Sequence, residues 1–255
     1  MNAPPLKRLS GPPPAGGNVV CFPYAGGGPS VFRTWPGTLS GRAGVWAAHL
    51  GGREGRFEVS PGTELKQQVD ELVEAVRPLT GGPLAFYGHS LGATLAAHVA
   101  QEVFPAMSAP SLLVVAARTP EWSDPVTDPS APALTGASSD EEVLAAFRWT
   151  GGVDEALLLA EPELLELVMP CLRADALLAA DRQYLREGAL TGPVLALHGT
   201  GDPKADAAGM ESWNRFTTGA FTSAAVPGGH LFCDTSGARV AHLVTDAAML
   251  CGVLR

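Results

Sequence analysis

The chain has 255 residues, 46% of them apolar and 17% charged, with a formal charge of −9. That composition supplies a buried core and excludes intrinsic disorder, and the length suits one α/β domain with an inserted element. The acid excess, with no block of basic residues, argues against nucleic acid or anionic lipid as partners.

No apolar run reaches the ~20 residues that span a bilayer, and the N-terminus is Pro/Gly-rich where a signal peptide would be apolar. The expectation is a cytoplasmic protein, monomeric by default. Cys21, Cys171, Cys233 and Cys251 are scattered with no C-x-x-C pair, so neither a metal site nor a disulfide framework is expected.

Residues 1–17 read as a flexible leader, because Pro12, Pro13, Pro14 and the glycines after them suit neither a helix nor a central strand. Residues 18–255 then form one domain. The apolar runs NVVCF, VWAAHL, PLAFYG, SLLVVAA and PVLALH have the composition of strands buried on both faces. They alternate with helical patterns, which predicts a mostly parallel central sheet with helices on both faces. Leu65, Val69, Leu72, Val73, Val76 and Leu79 mark one helical stripe ending near Pro78, and Val240, Leu243, Val244, Ala247 and Leu250 mark a C-terminal one.

Residues 120–192 break the alternation. A Pro/Asp/Ser-rich stretch leads into helical patterns without an evident strand, and an insertion of this length reads as a helical lid over the carboxyl edge of the sheet. Its leucines are candidates for packing on the core and for lining an acyl cavity.

Gly88-His89-Ser90-Leu91-Gly92 follows a strand and opens a helix, the setting of a nucleophile elbow in which Ser90 is exposed on a sharp turn. A serine hydroxyl needs a base. Of the six histidines, His49, His89, His98, His198 and His242 lie within or at the ends of elements and read as packed or surface residues. His230 lies in a Gly-rich loop between the last strand and last helix, where the base falls in the order Ser, Asp, His.

Asp202 directly follows PVLALHG and suits the acid that orients the imidazole. Asp206 is its nearest rival and Asp175, in the lid, a remoter one. The oxyanion needs two backbone donors. Leu91 N–H is one, and Phe22-Pro23-Tyr24-Ala25-Gly26-Gly27-Gly28 holds the other. That Gly run fits no nucleotide-binding pattern. Phe32, Trp35, Trp122, Trp149 and Trp213 are candidates for substrate contact, with core packing the alternative reading.

Taken together, FPYAGGG, GGREGR, GHSLGA, AARTP, GTGDP, PGGHLF and the lid string FRWTGGVDEALLLAEPELLELVMPCLRAD resemble the type II thioesterases of polyketide and nonribosomal peptide synthases. The resemblance implies the α/β-hydrolase fold, Ser90, Asp202 and His230 as catalytic residues, and Ala25 with Leu91 as oxyanion donors. It implies hydrolysis of acyl groups from the phosphopantetheine arm of an acyl or peptidyl carrier protein, with no cofactor. Tyr24 stands where the family usually has histidine, and Gly51 where it usually has proline.

A general carboxylesterase or acyltransferase, a chain-terminating fatty acyl thioesterase, and a non-catalytic acyl-ligand receptor are the alternatives. An acidic carrier would need a basic docking surface, for which Arg118, Arg148, Arg173 and Arg182 are candidates beside their reading as ordinary solvated side chains.

Overall fold

A computed structural model describes residues 3–10, 16–120, 134–148, 150–181 and 185–255. Pro12 to Pro14, Trp122, Trp149, Arg182 and most of the Pro/Asp/Ser-rich stretch lie outside the described residues.

Strands β1 (Leu6–Arg8), β2 (Asn18–Phe22), β3 (Gly44–Ala48), β4 (Leu84–His89), β5 (Ser111–Ala116), β6 (Val194–Gly199) and β7 (Phe221–Val226) form one sheet in the order β1-β3-β2-β4-β5-β6-β7. Strands β2 to β7 run parallel. Helices are α1 (Trp35–Thr38), α2 (Leu65–Val76), α3 (Leu91–Val103), α4 (Asp140–Arg148), α5 (Glu155–Ala160), α6 (Pro162–Ala180), α7 (Ala207–Glu211), α8 (Phe232–Thr235) and α9 (Gly237–Leu250). This is the fold class expected from the alternating pattern.

Apolar residues are nearly continuous along β2 to β6 because both faces are covered. Val20, Phe22, Leu84, Phe86, Leu113 and Val115 pack with the α2 stripe and α3. Their sequence neighbours Val19, Cys21, Ala85, Tyr87, Leu112 and Val114 pack on the other face with Val240, Val244 and Ala248 of α9. Phe32, Trp35 and Trp213 belong to these two cores, so packing is the role of these three aromatics.

The flexible-leader reading of residues 1–17 is corrected at β1. Leu6 pairs antiparallel with Ala48 and Arg8 with Trp46. Leu6 enters the core while Lys7 and Arg8 stay exposed. One buried residue followed by two exposed ones suffices for a short strand at a sheet edge, and the proline cluster follows it in sequence.

The lid supplies α4, α5 and α6, which bury Val143, Leu144, Phe147, Leu158, Met169, Leu172 and Ala176 in a cluster of their own. Its predicted end at residue 192 is late: Leu190 already packs in the main core and bridges Thr217. Ala25, in the loop after β2, packs against both the lid cluster and the main core.

Candidate active site

The chain runs from β2 outward to β3 and then back to β4 on the other side of β2. The reversal opens a crevice at the carboxyl ends of β2 and β4, the place where open α/β sheets hold ligands. Ala25 follows β2 and Ser90 follows β4, so two of the expected residues flank that crevice. Asp202 and His230 follow β6 and β7 at the same edge.

Ser90 is held at φ 54°, ψ −118°, a conformation rare for residues with side chains. Its N–H donates to Ala116 O at 2.9 Å and its carbonyl accepts from Ala93 N–H at 2.9 Å, which fixes the strained turn from both sides. The flanking glycines are required by close approach. A Cβ on Gly92 would lie 2.0 Å from Phe22 O, and one on Gly88 would lie 2.2 Å from Gly92 O.

Ser90 Oγ lies 2.8 Å from His230 Nε2, and His230 Nδ1 lies 2.8 Å from Asp202 Oδ2. An ionised carboxylate only accepts, so Nδ1 carries the proton and Nε2 accepts from the serine hydroxyl. The His230 and Asp202 side chains are 1% and 0% exposed.

Burial pushes the Asp202 carboxyl up, but the hydrogen bond and charge of His230 outweigh it. The N–H groups of Lys204 and Ala205, which donate to Oδ1 at 3.0 and 3.3 Å, act in the same sense. The carboxyl therefore titrates below its ordinary range. Asp206 instead caps α7, accepting from Gly209 N–H at 2.7 Å. Asp175 is bound elsewhere, to Arg53 and Gly26. The structure thus brings Ser90, Asp202 and His230 together and keeps both rival acids apart from them.

Leu91 begins α3, where the first N–H groups have no carbonyl within the helix. Among the described residues neither the Ala25 nor the Leu91 N–H has an acceptor, whereas the Gly26 and Gly27 N–H groups donate to Asp175 and to Tyr24 O. Two donors, one on the loop after β2 and one at the start of α3, are thereby left for a developing anion.

Two supporting contacts are absent from the sequence reading. His89, fully buried, places Nε2 2.7 Å from His230 O and Nδ1 2.9 Å from Tyr87 Oη. Burial, then the neighbouring His230, lower its pKa to about 3, so the ring is neutral at pH 7. Since His230 O only accepts, Nε2 carries the proton and Tyr87 donates to Nδ1. Tyr24, at the position where the resemblance leads one to expect histidine, donates to Asp234 Oδ2 at 2.7 Å. It ties the loop after β2 to α8, just beyond His230. The signal for His89 in the sequence is its place between a strand and the nucleophile, which a packed histidine fits equally well.

The described candidate arginines are placed differently from one another. Arg118 is buried and donates to Ala179 O, and Arg173 pairs with Asp140 at 2.6 Å, while Arg148 is exposed at the end of α4. Among the described residues no group of His, Cys, Asp and Glu is placed to hold a metal, and no helix is long and apolar enough to cross a membrane.

The sequence model of the Thioesterase family, described as a thioesterase domain, matches residues 18–246. The chain is 31% identical over 221 residues to gramicidin S biosynthesis protein GrsT of Aneurinibacillus migulanus, covering 84% of this chain and 82% of that one. It is 30% identical over 244 residues to thioesterase PikA5 of Streptomyces venezuelae, covering 94% and 84%. Among solved structures, the type II thioesterase BorB from the borrelidin biosynthetic cluster superposes with a TM-score of 0.80 at 26% identity, covering 96% of this chain and 98% of that chain.

Proposed function

Because the chain belongs to the thioesterase family and is a hydrolase of thioester bonds, we propose that Ser90, His230 and Asp202 carry out this hydrolysis on acyl groups borne by the phosphopantetheine arm of a carrier protein. The observation that carries the reading is the continuous relay from Ser90 Oγ through His230 to Asp202, together with the Ala25 and Leu91 N–H groups, which have no acceptor among the described residues.

His230 Nε2 takes the Ser90 proton as Oγ attacks the thioester carbonyl. The negative charge on the tetrahedral oxygen is held by the Ala25 and Leu91 N–H groups, each such donor supplying on the order of 3 kcal/mol in the transition state. Asp202 stabilises the imidazolium. As the C–S bond breaks, His230 returns the proton to sulfur and the free thiol departs. Water, deprotonated by His230, then attacks acyl-Ser90, and collapse releases the carboxylic acid and restores the hydroxyl. The cycle draws only on protein groups and water.

The relatives GrsT and PikA5 are named for gramicidin S biosynthesis and as a thioesterase, and BorB for a biosynthetic cluster. Their context supports an editing role, in which unwanted acyl groups are cleared from carriers of an assembly line. The test is hydrolysis of a panel of acyl groups on a carrier protein, on a small thiol and as oxygen esters, with Ser90→Ala as control. Faster release from the carrier that vanishes in the variant is the expected result. Equal or faster cleavage of the free esters would make the protein a general esterase.

A further inference from the structure

Asp175 lies on α6 in the lid, is 1% exposed, and is the remoter acid that the relay does not use. Its carboxylate is met from two sides. Arg53 closes a two-pronged ion pair on it, Nη1 to Oδ2 at 2.7 Å and Nη2 to Oδ1 at 2.8 Å. Gly26 N–H donates to the same Oδ2 at 2.6 Å. Arg53 Nη1 also donates to Gly27 O at 3.0 Å.

A buried carboxylate is tolerated only when paired and fully hydrogen-bonded, and this one spends part of that capacity on a backbone amide. The amide is the one directly after Ala25. The Ala25–Gly26 peptide plane is set by the bond to Asp175, and the Gly27 N–H to Tyr24 O bond at 2.9 Å closes the turn around it. Gly26 has φ +82°, a left-handed value that without these bonds would have many alternatives. Leu172, from the same lid helix, packs so closely on Gly26 that a Cβ there would lie 3.0 Å from Cδ2. The Ala25 N–H itself lies in the preceding peptide, anti to Tyr24 O, which the Gly27 N–H holds; a side chain of the lid thus fixes one of the two peptide planes that flank Ala25 and, through the turn, the way its N–H is presented.

We propose that Asp175 is a positioning residue for the oxyanion hole: by accepting the Gly26 N–H while locked to Arg53, it aims the Ala25 N–H, so that the seating of α6 assembles the hole. This rests on the reading of Ala25 as an oxyanion donor. The role of Arg53 is to hold and neutralise Asp175. Seating and catalysis are one event at this contact, so α6 stays on the core during turnover.

The test separates the acceptor from the ion pair. In Arg53→Met/Asp175→Asn the buried charge is gone and the amide oxygen still accepts from Gly26; in Arg53→Met/Asp175→Leu nothing accepts. Each is compared with the native protein for affinity toward butylboronic acid, for kcat and KM on butyryl N-acetylcysteamine, and for Tm. With the boronic acid, Ser90 Oγ adds to boron, the serine proton passes to His230, and the tetrahedral anion occupies the hole. The Leu variant is expected to lose tenfold or more in boronate affinity and in kcat with KM unchanged, while the Asn variant stays within about threefold of native.

Equal behaviour of the two variants, or a loss in KM and Tm without one in boronate affinity, overturns the proposal. Should the Leu variant not fold, Asp175→Glu keeps the charge opposite Arg53 and moves the acceptor by one methylene, and the same contrast is required of it. The amide proton shift of Ala25 on boronate binding to the native protein separates the two layers. A shift that does not move removes Ala25 as donor and the proposal with it, whereas a moving shift with indifferent variants removes the role of Asp175 alone.

Discussion

The ring of His89 donates to the backbone carbonyl of His230, 141 residues further along the chain, at 2.7 Å. The residue before the nucleophile thus holds the loop of the base, and Tyr87, two residues earlier on β4, fixes the ring from behind. One strand end delivers the nucleophile and also anchors the group that deprotonates it.

This arrangement has a pH signature. The buried ring titrates at about 3 against an ordinary 6.5, so between these values the unfolded chain binds one proton that the folded protein refuses. Stability is full above pH 6.5, declines as pH falls toward 3, and loses no more to this group below that. The linkage is about 2 kcal/mol by pH 5. Urea unfolding at pH 7 and pH 5 is expected to show a shallower fall for His89→Gln than for the native protein. An identical fall in both would mean that another group carries the linkage.

Asp202 has the same sign in a lower pH window. Its folded pKa is depressed, so the stability it contributes is present above the unfolded value near 3.8 and is lost as pH drops through the lower folded value. In catalysis, Asp202→Asn removes the acceptor that keeps the His230 proton on Nδ1, and a fall in kcat of roughly 10³- to 10⁴-fold is expected by analogy with such triads. Steady-state rates on an acyl thioester decide it; a loss under tenfold would remove Asp202 from the relay.

The elbow strain can be weighed directly. Ser90→Ala and Ser90→Gly both delete the nucleophile, and both are expected to be inactive. Only glycine relaxes φ 54°, and the Gly variant is expected to be about 1 kcal/mol more stable than the Ala variant. Chemical denaturation of the pair measures it. Equal midpoints would show an elbow without strain.

Gly92→Ala tests close approach. The added methyl meets the Phe22 and Pro23 carbonyl oxygens at 2.0 and 2.6 Å, both backbone, and cannot be accommodated by a side-chain rotation. A loss of about 3 kcal/mol or more, or failure to fold, is expected. A variant with native Tm would show that α3 can withdraw from β2.

The relay was legible in the sequence because each member lies at or shortly after the carboxyl end of a strand, so local pattern delivers Ser90, Asp202 and His230 to one sheet edge. What joins the loops to one another was not. The partners Arg53 and Asp175 are 122 residues apart, and Tyr24 and Asp234 are 210 apart. No periodicity says which loop meets which. A trace did exist in the lid, where Asp175 interrupts the buried face Cys171, Leu172, Ala174, Ala176 and Leu178 of α6, and a carboxylate on such a face must find a cation. The strand β1 was missed for a different reason: three residues carry too little pattern to outweigh the prolines nearby.

That short strand has a consequence of its own. β3 is apolar along its length, and without a neighbour its outer row of N–H and C=O groups would be a template for strands of other molecules. β1 fills that row, and the edge it then presents is brief and carries the exposed Lys7 and Arg8. A chain trimmed to begin at Asn18 keeps every residue of the relay yet exposes β3, so its defect would show as self-association on concentration, visible by light scattering, with the activity of the remaining monomer intact.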